Sequence, residues 1–184
     1  NFAYEENAYS KGAVFLEQLG YITGDQVLDK ILLEYYKEWR FKHPDANDFI
    51  RVAEKVSGMK LDWYREYWTY TTKTIDYGID TVKEDNGKTA IVLHRIGNMP
   101  MPVDLLVTFK DGTKQMEYIP MDLMYGAKPD EDPAFPRRGD PEWPWTDPTY
   151  SSTLPVAKEK IQSVEIDTRH RMADVNRDTN KVDE

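Results

Sequence analysis

Apolar positions along the chain change period near residue 76. Before it they recur at helical spacing; after it they alternate in twos. Residues 8–19 read as a first helix, in which Val14, Phe15, Leu16 and Leu19 form the apolar patch and Gly20 and Gly24 punctuate the end. Residues 25–41 predict a second helix with Val27, Leu28, Ile31, Leu32, Tyr35 and Trp39 on one stripe, and Pro44 follows as a stop. Asp45 suits the cap of a third helix, where Phe49, Val52, Ala53 and Val56 keep the spacing and Gly58 ends it. Asp62 suits the cap of a short fourth helix carrying Trp63, Tyr67 and Trp68. Four helices in about 70 residues sit near the lower limit for an independent core. We therefore expect one amphipathic face to need an outside partner.

From Tyr77 onward the signals are those of strands. Asn86-Gly87 and Asp111-Gly112 are strong two-residue hairpin turns, because both pairs reach positive φ cheaply. The first should join 77–84 to 88–96, and the second 103–110 to 113–119. Val103, Leu105, Val107 and Phe109 alternate with Asp104, Thr108 and Lys110, with Leu106 breaking the polar face. Val164 and Ile166 mark a last strand at 161–167, and Pro100, Pro102 and Pro120 sit at strand edges. The fold class is α+β: a four-helix unit over 1–75, then an antiparallel β-sandwich of six or seven strands over 76–168. A loop at 126–149 holds six prolines, so neither helix nor central strand fits it; Phe135, Trp143 and Trp145 should pin it to the sandwich. The tail, 169–184, is polar, and we expect it frayed or docked only in part.

Composition narrows the chemistry. The 184 residues carry 24 Lys+Arg against 33 Asp+Glu, a net charge of −9, and no Cys. A net negative chain argues against general nucleic-acid or anionic-membrane binding. No stretch reaches the ~20 apolar residues of a membrane span. Zero Cys removes disulfides, thiol catalysis and Cys-ligated zinc, and leaves the compartment open. The chain opens on Asn1 with no signal-peptide pattern, which we read as a piece of a longer polypeptide.

No metal motif is present. His43, His94 and His170 lie in different predicted elements, and no HExxH occurs. Asp174, Asn176, Asp178 and Asn180 alternate like the first half of an EF-hand loop, but Thr179 stands where the sharp turn wants Gly. There is no GxSxG and no phosphate-cradling Gly-rich loop. Paired carboxylates such as Glu5 and Glu6, or Asp130 to Asp132, read as solvated charge. One segment stands apart: Tyr4, then Tyr9-Ser10-Lys11-Gly12 at the head of the first helix. A phenol there can donate to a developing oxyanion, or simply pack on a helix surface.

That segment belongs to a longer order of motifs. Tyr-x-Lys-Gly at 9–12 is followed by Leu19-Gly20, Tyr35-Tyr36, Asp48-Phe49 and Leu61-Asp62-Trp63-x-x-x-x-Trp68. Pro100-Met101-Pro102-Val103, Lys110-Asp111-Gly112, Trp143-Pro144-Trp145-Thr146, Ile166-Asp167 and Met172-Ala173-Asp174 come after. In this order the chain resembles the gluzincin zinc aminopeptidases, the aminopeptidase N and leukotriene A hydrolase relatives, and among them the bacterial members. The resemblance implies that 1–79 is the last, helical part of a thermolysin-like catalytic domain, followed by its β-sandwich. It implies a hydrolase acting on peptide substrates, with zinc held by an HExxH helix and a later Glu whose residues precede Asn1. Tyr9 falls on the oxyanion-stabilising tyrosine, and Tyr4 on a second active-site tyrosine of some relatives. The missing part of the catalytic domain is then an implied partner, which would leave an apolar patch around Tyr9, Val14 and Phe15; the given chain would be inactive alone, and a periplasmic or extracellular site is suggested. Lys73 departs from the Gly common at that point. The competing reading is a non-catalytic sandwich module that binds protein or glycan through its aromatics, with 12 Tyr and the Trp143-Pro144-Trp145 loop as support.

Overall fold

The computed structural model of the chain describes residues 2–131 and 133–184, so Asn1 and the third member of the acidic run at Asp132 lie outside the described residues. The described chain forms two compact units, one of residues 1–72 with 123–131 and one of 73–122 with 132–184.

The first unit is helical. Its leading helix starts earlier and ends later than its apolar spacing suggests. It runs through α1 (Phe2–Glu5), a π-helical turn (Glu6–Lys11) and α2 (Gly12–Thr23). Gly20 lies inside α2 and ends nothing. Leu19, Tyr21, Ile22 and Thr23 around it are all buried, and that burial outweighs the ~1 kcal/mol a helical glycine costs. Gly24, at φ 94°, makes the break. α3 (Asp25–Trp39) follows with no cap of its own; instead Glu131 accepts from the Asp25 N–H at 2.6 Å and the Gln26 N–H at 3.0 Å.

α4 (Ala46–Ser57) opens on the capping box its sequence predicts. The Asp48 N–H donates to Asp45 at 3.0 Å and the Asp45 N–H to Asp48 at 2.9 Å. Gly58 closes it in the left-handed region. α5 (Asp62–Tyr70) places Asp62 inside its first turn rather than at the cap, which is Leu61. Leu19, Ile22, Ile31, Ile50, Ala53, Leu61 and Tyr64 make the core of this unit. On α3 the stripe is only partly covered: Ile31 is buried, Val27, Leu28, Tyr35 and Trp39 are half-buried and Leu32 is exposed, as are Leu33 and Tyr36 beside it.

The second unit holds β1 (Tyr77–Asp85), β2 (Lys88–Arg95), β3 (Val103–Phe109), β4 (Lys114–Ile119), β5 (Arg137–Gly139), β6 (Thr149–Leu154), β7 (Ile161–Ile166) and β8 (Lys181–Asp183). Among the described residues these build a three-stranded sheet in the order β1-β2-β6 and a five-stranded sheet in the order β5-β4-β3-β7-β8. Asn86 (φ 52°) and Gly87 (φ 75°) form the two-residue turn, with Asp85 opposite Lys88. The second hairpin differs. Only Gly112 has positive φ, the Gly112 N–H donates to the Phe109 carbonyl, and the Phe109 N–H donates to the Thr113 carbonyl. This is a three-residue loop, a type I turn followed by a left-handed glycine. The Asp111 carboxylate accepts from the Thr113 N–H and hydroxyl and settles that choice.

Among the described residues seven strands fall within 76–168, as expected, and an eighth lies in the tail. β5 pairs parallel to β4, between Pro136 and Pro141, and β8 pairs antiparallel to β7. The polar tail is thus docked. Asp174 accepts from the Tyr77 N–H and the Asn180 amide, and Asp167 accepts from the Arg171 and Met172 N–H groups and pairs with Arg177.

Candidate functional site

The two tyrosines marked by the sequence lie together. Tyr9 sits in the π-helical turn and Tyr4 in α1 just before it. Their rings meet edge to face, with centroids 6.3 Å apart at 84°. Both are open: Tyr4 is 62% and Tyr9 68% exposed. No residue of the π-helical turn is buried, and burial begins only at Gln18. The Tyr9 hydroxyl is therefore free of any closed interior. A Cβ on Gly12 would meet only the Asn7 carbonyl at 3.8 Å, ordinary contact, so nothing within the chain demands glycine there.

Beyond this open segment the same helix enters an aromatic cluster. Phe15, expected on the exposed patch, turns inward instead. It lies 4.9 Å from the Tyr64 ring and within 6.2 Å and 6.4 Å of Phe49 and Trp68. Four aromatics bury more apolar area together than a lone Phe gains against an absent partner. Of the expected patch, Tyr9 and Val14 remain exposed. Tyr64 donates its hydroxyl to the Phe15 carbonyl at 2.6 Å and fastens α5 to α2. Burial pushes the Tyr64 phenol well above its usual range. Tyr64 is fully buried and was missed by the sequence reading; its spacing of four from Trp68 was the available signal.

The described residues do not make a zinc site. Among them no group of three or more His, Cys, Asp and Glu could hold a metal ion. His43 is in the exposed turn after α3, His94 faces Asp80 at 3.7 Å on β2, and His170 sits in the tail at φ 53°. Of the alternating Asp174, Asn176, Asp178 and Asn180, Asn180 reaches Asp174 through its amide at 3.1 Å. Asp174 accepts from the Tyr77 and Asn176 N–H groups, and Asn176 accepts from the Asp178 N–H.

In the second unit, the aromatic loop is largely core. Trp143 is 4% exposed, lies 5.5 Å from the Tyr77 ring, stacks on Tyr150 at 5.2 Å and donates its indole N–H to the Asp147 carbonyl at 2.9 Å. Trp145 is 41% exposed, so only one of the two indoles is offered to a partner. A polar cluster lies close by. Glu117 on β4 is fully buried and pairs with Arg138 on β5; Arg138 also pairs with Asp140 at 2.8 Å, and Asp140 accepts from Ser152 on β6. Burial lifts the Glu117 carboxyl, with Arg138 pulling it back. Burial also raises the Tyr150 phenol above its usual range, with the Asp140 carboxylate adding to it. The cluster ties strands from both sheets, with its carboxylates buried and Arg138 half-buried.

Among the described residues no helix is long and apolar enough to cross a membrane. No family model matches the chain. It is similar to Aminopeptidase N of Haemophilus influenzae, 26% identical over 128 residues, which is 63% of this chain and 14% of that protein. It is similar also to Tricorn protease-interacting factor F2 of Thermoplasma acidophilum, 25% identical over 119 residues, 61% of this chain and 15% of that protein. The chain thus spans about one seventh of the length of the curated relatives it matches. The likeness is distant and points to a peptidase-related origin.

Proposed function

We propose that this chain is the oxyanion-stabilising portion of a zinc-dependent aminopeptidase, with Tyr9 as the residue that touches the reacting peptide. The observation that carries this is the open Tyr9 phenol on a helix segment with no buried residue. The distant likeness to an aminopeptidase supports the same reading. A neutral phenol at that place donates a hydrogen bond to the oxygen on which charge develops when a peptide carbonyl is attacked. The helix that carries the donor is fastened further along, where Tyr64 donates to the Phe15 carbonyl. The metal and the general base are assigned to polypeptide outside these residues.

The test is Tyr9→Phe in the natural protein that contains this sequence, assayed on aminoacyl anilides. We expect kcat to fall about 10²- to 10³-fold, as for loss of one oxyanion donor, with KM little changed. Hydrolysis within a few fold of wild type would remove Tyr9 from the reaction. The 184-residue chain alone should neither retain stoichiometric zinc nor cleave these substrates. Tight 1:1 zinc in the isolated chain would contradict the assignment of the metal to other residues.

A further inference from the structure

Tyr4 and Tyr9 are five residues apart. In an α-helix, at about 100° per residue, a spacing of five points two side chains to different faces. Here the rings touch edge to face. The reason is the backbone between them: Glu6–Lys11 is π-helical, and in that geometry a residue closes one turn with its fifth neighbour rather than its fourth. The extra residue in the turn brings a spacing of five onto one face. Outside the π-helical turn the same helix is ordinary α, on both sides. A six-residue π run is rare and gives up good hydrogen-bond geometry, so a run that begins two residues after Tyr4 and carries Tyr9 needs a compensating contact. The ring pair is that contact.

We propose that the π-helical turn is a register device that docks the Tyr4 ring against Tyr9, so that Tyr4 is the positioning residue that aims the Tyr9 phenol. This rests on the catalytic role given to Tyr9 above. The edge of one ring against the face of the other restricts the Tyr9 side chain, which is otherwise open to solvent on all sides the chain itself supplies. Losing that restraint spreads the phenol over several rotamers and lowers the fraction aimed at the reacting carbonyl.

Two measurements test it. In the 184-residue chain, photo-oxidative dityrosine formation with peptide mapping reads the ring pair directly. Wild type should give a Tyr4–Tyr9 link. Deleting Ala8 leaves a spacing of four, which an α-helix also places on one face, and the link should persist. Inserting an alanine between Asn7 and Ala8 should reduce it about 10-fold. A wild type that links no better than the insertion variant, while the deletion variant links well, would show an α-helical segment and overturn the register device. In the natural protein, Tyr4→Ala should lower kcat about 2- to 10-fold with KM unchanged, the scale of an aromatic pair. Tyr4→Phe, which keeps the ring, should recover most of that loss. A Phe variant as impaired as the Ala variant would make the hydroxyl, not the ring, the working part, and would overturn the positioning role. A link present in a wild type with no peptidase activity overturns the reading of Tyr9, and Tyr4's service with it. A link absent in an active wild type overturns the register device alone.

Discussion

Replacing Trp143 by alanine separates a core indole from a binding platform. The side chain is 4% exposed, stacks on Tyr150, meets Tyr77 edge to face and donates to the Asp147 carbonyl. An indole of this kind buries about 200 Å², worth roughly 5 kcal/mol at 25 cal/mol per Å², and the compact unfolded chain reduces that to about 3–4. Losing the indole hydrogen bond adds about 1 kcal/mol. The sum, about 4–5 kcal/mol, agrees with the range for Trp→Ala in cores. For a unit of about 100 residues it corresponds to a fall in Tm on the order of 15–30 °C. Peptide-resolved hydrogen exchange on β1, β2 and β6, alongside thermal melting, is the assay. Trp145→Ala is the control: only its backbone N–H bonds to Asp122, which alanine keeps, so about 1 kcal/mol or less is expected. If the Trp143 variant melts within a few degrees of the Trp145 variant, the packing argument fails and the loop is free to serve as a binding surface.

Three further outcomes follow from the same geometry. Burial raises the Glu117 carboxyl, so between the ordinary Glu value and the raised one the folded chain holds more protons than the unfolded. Stability of wild type minus that of Glu117→Gln should therefore fall as pH rises through this window; a rise, read by urea melts at stepped pH, would reverse the sign. Gly97→Ala should prevent the second unit from folding. Its Cβ would sit 2.3 Å from the Thr74 carbonyl oxygen and 2.6 Å from the Asp76 nitrogen, both backbone, and a folded variant seen by near-ultraviolet circular dichroism would refute the close approach. Tyr64→Phe should cost the first unit about 1 kcal/mol in a denaturant melt by leaving the Phe15 carbonyl without its donor, and no change would make that bond idle.

Local chemistry was legible in the sequence. The capping box at Asp45 and Asp48, the left-handed Gly58, the Asn86-Gly87 turn and the alternation through β3 each depend on residues a few positions apart. The helix-then-strand order and the prominence of Tyr9 came from the same short-range patterns. Other features needed partners far along the chain. Gly20 reads as a terminator until its neighbours are seen to be buried. Phe15 reads as an exposed patch until Phe49, Tyr64 and Trp68 arrive. The parallel pairing of β5, the buried Glu117–Arg138 pair and the capping of α3 by Glu131 leave no local signature.

The sequence by itself thus determined most of the secondary elements, several of their ends and the residue types available for chemistry, because propensity, capping and turn geometry act within a few residues. Only the tertiary structure decided which apolar side chains turned inward, which carboxylates became caps or buried ions, and that two phenols five residues apart share one face. Those outcomes depend on burial against distant segments and on a backbone register that no pattern of side chains specifies.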